Sequence, residues 1–149
     1  MNIPALVRTD HLRPKTAEPA KIRSLLDSIE RNSKVALAIP LNGDTATVIF
    51  RELYESIRQL GDAAWWQRGY EPRNHDVYME LLREMPVKNQ AALRQLPRYK
   101  AIRHDINYRG FRASEAQAGE IVEFWNTNGK ELLALLRAQQ KSPSSGKSG

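Results

Sequence analysis

The stretch RYKAIRHDINYRGFRAS, residues 98–114, sets Arg98, Lys100, Arg103, Arg109 and Arg112 around His104, with Asp105 as its single acid. Imidazole has an unperturbed pKa near ~6.5, while guanidinium stays charged and presents a fork that grips phosphate oxygens in pairs. Together they suit phosphodiester chemistry. RNA carries its own nucleophile, the 2′-hydroxyl, so cleavage needs a group to move protons near neutral pH and a cation to stabilise charge growing on the phosphate. His104 and Arg98 are the candidates for those two roles, and Arg103, Lys100, Arg109 and Arg112 are candidate nucleic-acid contacts. Six residues of helix turn through about 600°, which leaves the Arg98 and His104 side chains roughly 120° apart around the axis. One helix presents the pair poorly; two copies facing each other at a dimer interface could bring both pairs into one cleft.

The same residues also fit a plainer arrangement. His104 and Tyr108 are one helical turn apart, as are Asp105 and Arg109, and such local pairs contribute roughly a few tenths of a kcal/mol each. Arg103 and Tyr108 suit structural roles, the arginine reaching a carboxylate such as Glu55 or Glu123 and the tyrosine closing a bundle end. Cleavage, phosphate contact without cleavage, and a solvated helix terminus all remain open from these residues alone.

The elements that must position this cluster follow from composition and period. A chain of 149 residues with 41% hydrophobic content is of a size for one domain around one core. Its formal net charge of +6 draws it toward polyanions or an acidic protein partner. There is no cysteine, which excludes disulfides and thiolate chemistry, and His11, His75 and His104 are too scattered for a metal site, so neither metal nor cofactor is expected. Neither a secretory leader nor an apolar run of the roughly 18 to 20 residues a membrane span needs is visible, so a cytoplasmic location is the expectation.

Residues 1–17, with two prolines and no sustained period, read as a flexible N-terminal arm. The domain is expected over 18–140, and the low-complexity tail over 141–149 as flexible. Within the domain, Pro19 opens a first helix with Ile22, Leu25, Leu26 and Ile29 on one face. The PLNGD turn follows, with Asp44 a candidate cap for a second helix carrying Ile49, Leu53, Ile57, Leu60 and Ala64 beside Phe50, Tyr54, Gly61 and Trp65. So wide an apolar face implies a buried helix. Adjacent Trp65 and Trp66 cannot both face the same way, so one enters the core and the other meets a neighbour. Short helical pieces are expected through DVYMELLREM and VKNQAALRQL. Pro97 opens the helix that Gly110 ends, and Ser114 with Gln117 forms a capping box for a last helix marked by Ala118, Ile121, Val122, Trp125, Leu132, Leu133 and Leu136. Alternating Val35, Leu37 and Ile39 before Asn42-Gly43 carry a competing hairpin signal. The fold expected is all-α, an antiparallel bundle of four main helices with short extra helical pieces. The breadth of the apolar faces on the second and last helices further suggests a homodimer.

Taken in order, a helix, the NGD turn, a second helix ending in DAAWWQRGY, the loop EPRNH and then IRHDINYRGFRASEAQAGEIVEFW resemble the HEPN domain family over roughly residues 19–138. Arg103 and Tyr108 match an R-x-x-x-x-Y element that precedes a Ser-capped last helix in one branch. Arg98 and His104, with five residues between them, match the family's arginine–histidine spacing. Tyr99 stands where a polar residue such as Asn is typical, and Arg98 directly follows Pro97. The resemblance implies an all-helical domain, commonly a homodimer, that binds RNA or nucleotides and in many members is a metal-independent endoribonuclease. Some members are toxins paired with a nucleotidyltransferase antitoxin. The rival expectation is a non-catalytic helical interaction module that docks a nucleotidyltransferase-like or other acidic protein partner; a third is a purely structural dimeric bundle.

Overall fold

Pro19 stands in the first turn of α2 (Pro19–Ala38), where its missing N–H costs no hydrogen bond. The computed structural model describes residues 1–74 and 76–141. Helix accounts for 71% of it and strand for 4%, an all-α fold. The turn after α2 is held by side chains: Asn42 Oδ1 accepts from the backbone N–H groups of Asp44 at 2.8 Å and Thr45 at 3.1 Å. Thr45, not the expected Asp44, then stands at the N-cap of α3 (Ala46–Gln67). Helix continues through Val35 and Leu37, so the hairpin signal before Asn42-Gly43 is overridden by the packing of α2.

α3 is the axis of the core. Leu53, Ile57, Leu60, Ala63 and Trp65 are fully buried along it, and large apolar side chains of this kind contribute about 1.5–3 kcal/mol each on burial. α2 covers one side of α3 and runs antiparallel to it across the short turn. α4 (Tyr78–Leu82) covers another side. It approaches so closely that a Cβ on Gly61 would overlap Tyr78, and Trp65 Nε1 donates to the Val77 carbonyl at 3.0 Å. Trp65 therefore fills the core while Trp66 lies half-buried at the surface beneath Lys21, the division expected of adjacent tryptophans.

Residues 1–17, which composition marks as a flexible arm, carry α1 (Ile3–Arg8) and strand β1 (Leu12–Pro14). β1 pairs antiparallel with β2 (Tyr70–Pro72) in the register Leu12 to Pro72, Arg13 to Glu71 and Pro14 to Tyr70, and Arg13 is ion-paired with Glu71. Burial of Leu12 in the common core supplies the attraction that composition does not reveal.

A 3₁₀ segment over Gln90–Gln95 leads into α5 (Leu96–Arg109), and α6 (Glu115–Phe124) runs through a π-helical turn, Trp125–Gly129, into α7 (Lys130–Lys141). The π turn has a visible cause: the Trp125 ring lies over Gly129 where a Cβ would stand. Arg137 on α7 bonds Glu30 at 2.6 Å and Asp27 at 3.0 Å, and Gln140 reaches the Pro19 carbonyl, so α7 closes antiparallel against α2. The four main helices are α2, α3, α5 and the α6–α7 pair. No described helix is long and apolar enough to cross a membrane. The tail residues 142–149 and His75 lie outside the described residues.

Candidate nucleic-acid interface

α5 is attached to the core by a narrow stripe, Leu96, Tyr99, Ile102 and Ile106, which recurs at helical spacing. The Tyr99 ring meets Phe50 and Phe124 edge-on, at centroid distances of 6.0 and 5.5 Å. Burial and the carboxylates Glu120 and Glu123 push its hydroxyl up to about 12. Every other residue of α5 is left toward solvent or a helix edge, and this is where the basic side chains stand.

The structure gives each predicted site residue a distinct neighbour. Arg98 Nη1 lies 2.6 Å from Glu120 Oε1 on α6, and Lys100 Nζ lies 2.5 Å from Asp76 Oδ1 in the segment before α4. Arg109 is 3.7 Å from Asp105 one turn back. Arg103 lies over the Tyr54 ring at 5.7 Å, and with the Asn107 amide oriented oxygen-inward its Nε and Nη1 reach that oxygen at 3.2 and 3.3 Å. Among the described residues, the neighbours that receive Arg103 are the buried Tyr54 ring and the Asn107 oxygen. Arg112 donates to the Gly43 carbonyl at 3.3 Å. Among the described residues no carboxylate pairs with Arg103 or Arg112, so these two carry the uncompensated positive charge of the cluster.

His104 is exposed, with its ring 4.9 Å from that of Tyr108. Arg98 and His104 are not brought together within one chain: the first turns to α6 and Glu120, the second to solvent and Tyr108. That is the outcome their angular separation on a helix requires. Tyr108 does not close the bundle end either, being 73% exposed.

The end of α5 is firmly built. Gly110 adopts the left-handed conformation at φ 65°, and Phe111 N–H donates to the Asp105 carbonyl at 3.2 Å. Ala113 N–H then donates to Thr47 Oγ1 on α3 at 3.1 Å, and the Ser114–Gln117 capping box starts α6. Beneath Arg103, Tyr54 and Tyr78 share a buried hydrogen bond of 2.6 Å between their hydroxyls, and burial raises both above the ordinary tyrosine range. The site residues missed in the sequence are Glu120 and Asp76, which hold Arg98 and Lys100, and Phe111, exposed beside Arg112. Phe111 was legible in principle, since Gly110 interrupts the stripe that buries α5.

No protein-family model, curated protein or solved structure matches this chain.

Proposed function

We infer that this chain is an RNA-binding domain of HEPN type whose contact surface is the C-terminal half of α5 with the loop into α6. The observation that carries this reading is that Arg103, over the Tyr54 ring, and Arg112, on the Gly43 carbonyl, form no ion pair with a described carboxylate, while Arg109 and His104 between them in sequence are exposed. Guanidinium forks bind phosphate oxygens in pairs, as they do carboxylates, and the net charge of +6 favours encounter with a polyanion such as RNA.

Cleavage, in this reading, is work for two copies. His104 takes the proton of the 2′-hydroxyl as that oxygen bonds to phosphorus, the P–O5′ bond breaks, and the proton passes to the departing 5′ oxygen, leaving a 2′,3′-cyclic phosphate. Arg98 of a second copy, released from its Glu120 partner as RNA binds, stabilises charge on the phosphate. The route uses the RNA's own nucleophile. Incubation of labelled RNA with protein in EDTA tests it: wild type cuts, while His104→Ala loses a factor of about 10² or more, the usual scale of general acid–base assistance. Arg98→Ala and His104→Ala, each inactive alone, recover activity when mixed, because one site of the mixed dimer is whole. A wild-type protein that binds RNA and cuts none removes the ribonuclease, and with it the toxin reading.

The rival, a non-catalytic module that docks an acidic or nucleotidyltransferase-like protein, draws support from one observation. Arg98, Lys100 and Arg109 are already held by carboxylates, as in a structural surface.

A further inference from the structure

We propose that Tyr108 and Phe111 form a base-stacking platform, so that this end of α5 takes the unpaired nucleotides of single-stranded RNA in preference to a duplex. The inference rests on the RNA-binding reading above and adds to it the class of RNA and the residues that select it. Tyr108 is 73% exposed and Phe111 41%, against near-complete burial of Tyr99, Phe50, Phe124, Trp65 and Trp125. Neither ring belongs to the stripe that fixes α5, so core packing does not account for them.

The backbone that carries them is fixed by hydrogen bonds. Tyr108 is backed on one side by His104, with ring centroids 4.9 Å apart and planes tilted by 43°. Phe111 is held by its own N–H on the Asp105 carbonyl, by the left-handed Gly110 before it and by the Ala113 bond to Thr47 after it. A backbone ordered before binding leaves only the ring torsions to be restricted when a base settles on them. Arg103, Arg109 and Arg112 flank both rings in sequence and supply the charge complementarity that a sugar–phosphate backbone needs on either side of a stacked base. Asp105 is the acid within the stretch, and it is engaged with Arg109. A purely apolar protein surface would gain nothing from this fringe of cations. A duplex keeps its base faces stacked inside, so the rings can be used by unpaired bases alone.

The test is fluorescence anisotropy with a labelled 12-nucleotide RNA, presented as a single strand and annealed to its complement. Wild type should bind the single strand more tightly. Tyr108→Ala and Phe111→Ala should each weaken single-strand binding about tenfold, the scale of one lost base–aromatic stack, with the salt dependence and the duplex affinity unchanged. Tyr108→Phe, which keeps the ring, should bind as wild type does. Equal losses on single strand and duplex, or alanine variants that bind the single strand as tightly as wild type, would overturn the platform while leaving phosphate binding intact. A change of oligomeric state in the alanine variants without a change in RNA affinity would make the two rings a protein interface and overturn it too. Wild type that binds neither RNA overturns the functional reading itself.

Discussion

Arg98 and Glu120 face each other across α5 and α6 at 2.6 Å, and this ion pair points away from His104. The two side chains are 45% and 49% exposed, so solvent screens the pair and its breakage costs about 1 kcal/mol or less. Glu120→Gln should therefore leave the urea midpoint nearly unchanged while freeing Arg98 for phosphate. RNA affinity at low salt should rise in that variant; an unchanged affinity would mean that Arg98 takes no part in binding even when released.

Gly61 is where α4 comes closest to α3. Gly61→Ala gains about 1 kcal/mol of helix propensity, but its Cβ would overlap the Tyr78 backbone and side chain, and overpacking of a full core costs typically 1–3 kcal/mol. Net destabilisation is expected in urea titrations, together with loss of the Tyr54–Tyr78 contact that lies beneath Arg103. A stabilised Gly61→Ala would show that α4 can move aside at no cost.

Ser114→Ala removes one half of the capping box at the start of α6. The expected loss is about 1 kcal/mol, read from chemical denaturation. Because the same turn carries Ala113 on Thr47, the variant should also loosen the Phe111 loop, seen as faster amide exchange at Phe111 and Ala113.

Burial holds the hydroxyls of Tyr54 and Tyr78 above the ordinary range and that of Tyr99 at about 12. A group whose folded value is raised binds its proton more tightly when folded. Its contribution is therefore complete below the unfolded value of about 10 and is lost as pH rises from there through the folded value. Stability should fall above about pH 10, and absorbance at 295 nm should show tyrosines that ionise late or upon unfolding. Full ionisation of all tyrosines near pH 10 in the folded protein would contradict the burial of this group.

What was legible in the sequence was local. Pro19, Gly110 and the Ser114–Gln117 pair act within one turn of chain, and each marks a helix end where it was read. The apolar stripes of α3 and of α6–α7 likewise carry their own period. Long-range pairings were not legible: β1 and β2 are three residues each, too short for alternation to register, and lie 58 positions apart at the Arg13–Glu71 pair. The π turn arises from a contact between Trp125 and Gly129 that no propensity encodes. In the α5 cluster the basic residues were plain from the sequence, but which of them are neutralised depended on Asp76 and Glu120, carboxylates brought in by other segments.

If the end of α5 binds RNA through cations left without carboxylate partners, the salt dependence of RNA affinity must differ between wild type and Arg103→Glu/Arg112→Glu. Each phosphate contact on a single strand contributes about 0.7 to the slope of log affinity against log salt. Wild type should show a steep slope, and the double variant weaker binding with a slope shallower by about 1.4, two contacts' worth. Binding that ignores salt, or a double variant with the wild-type affinity and slope, would contradict this mode of binding.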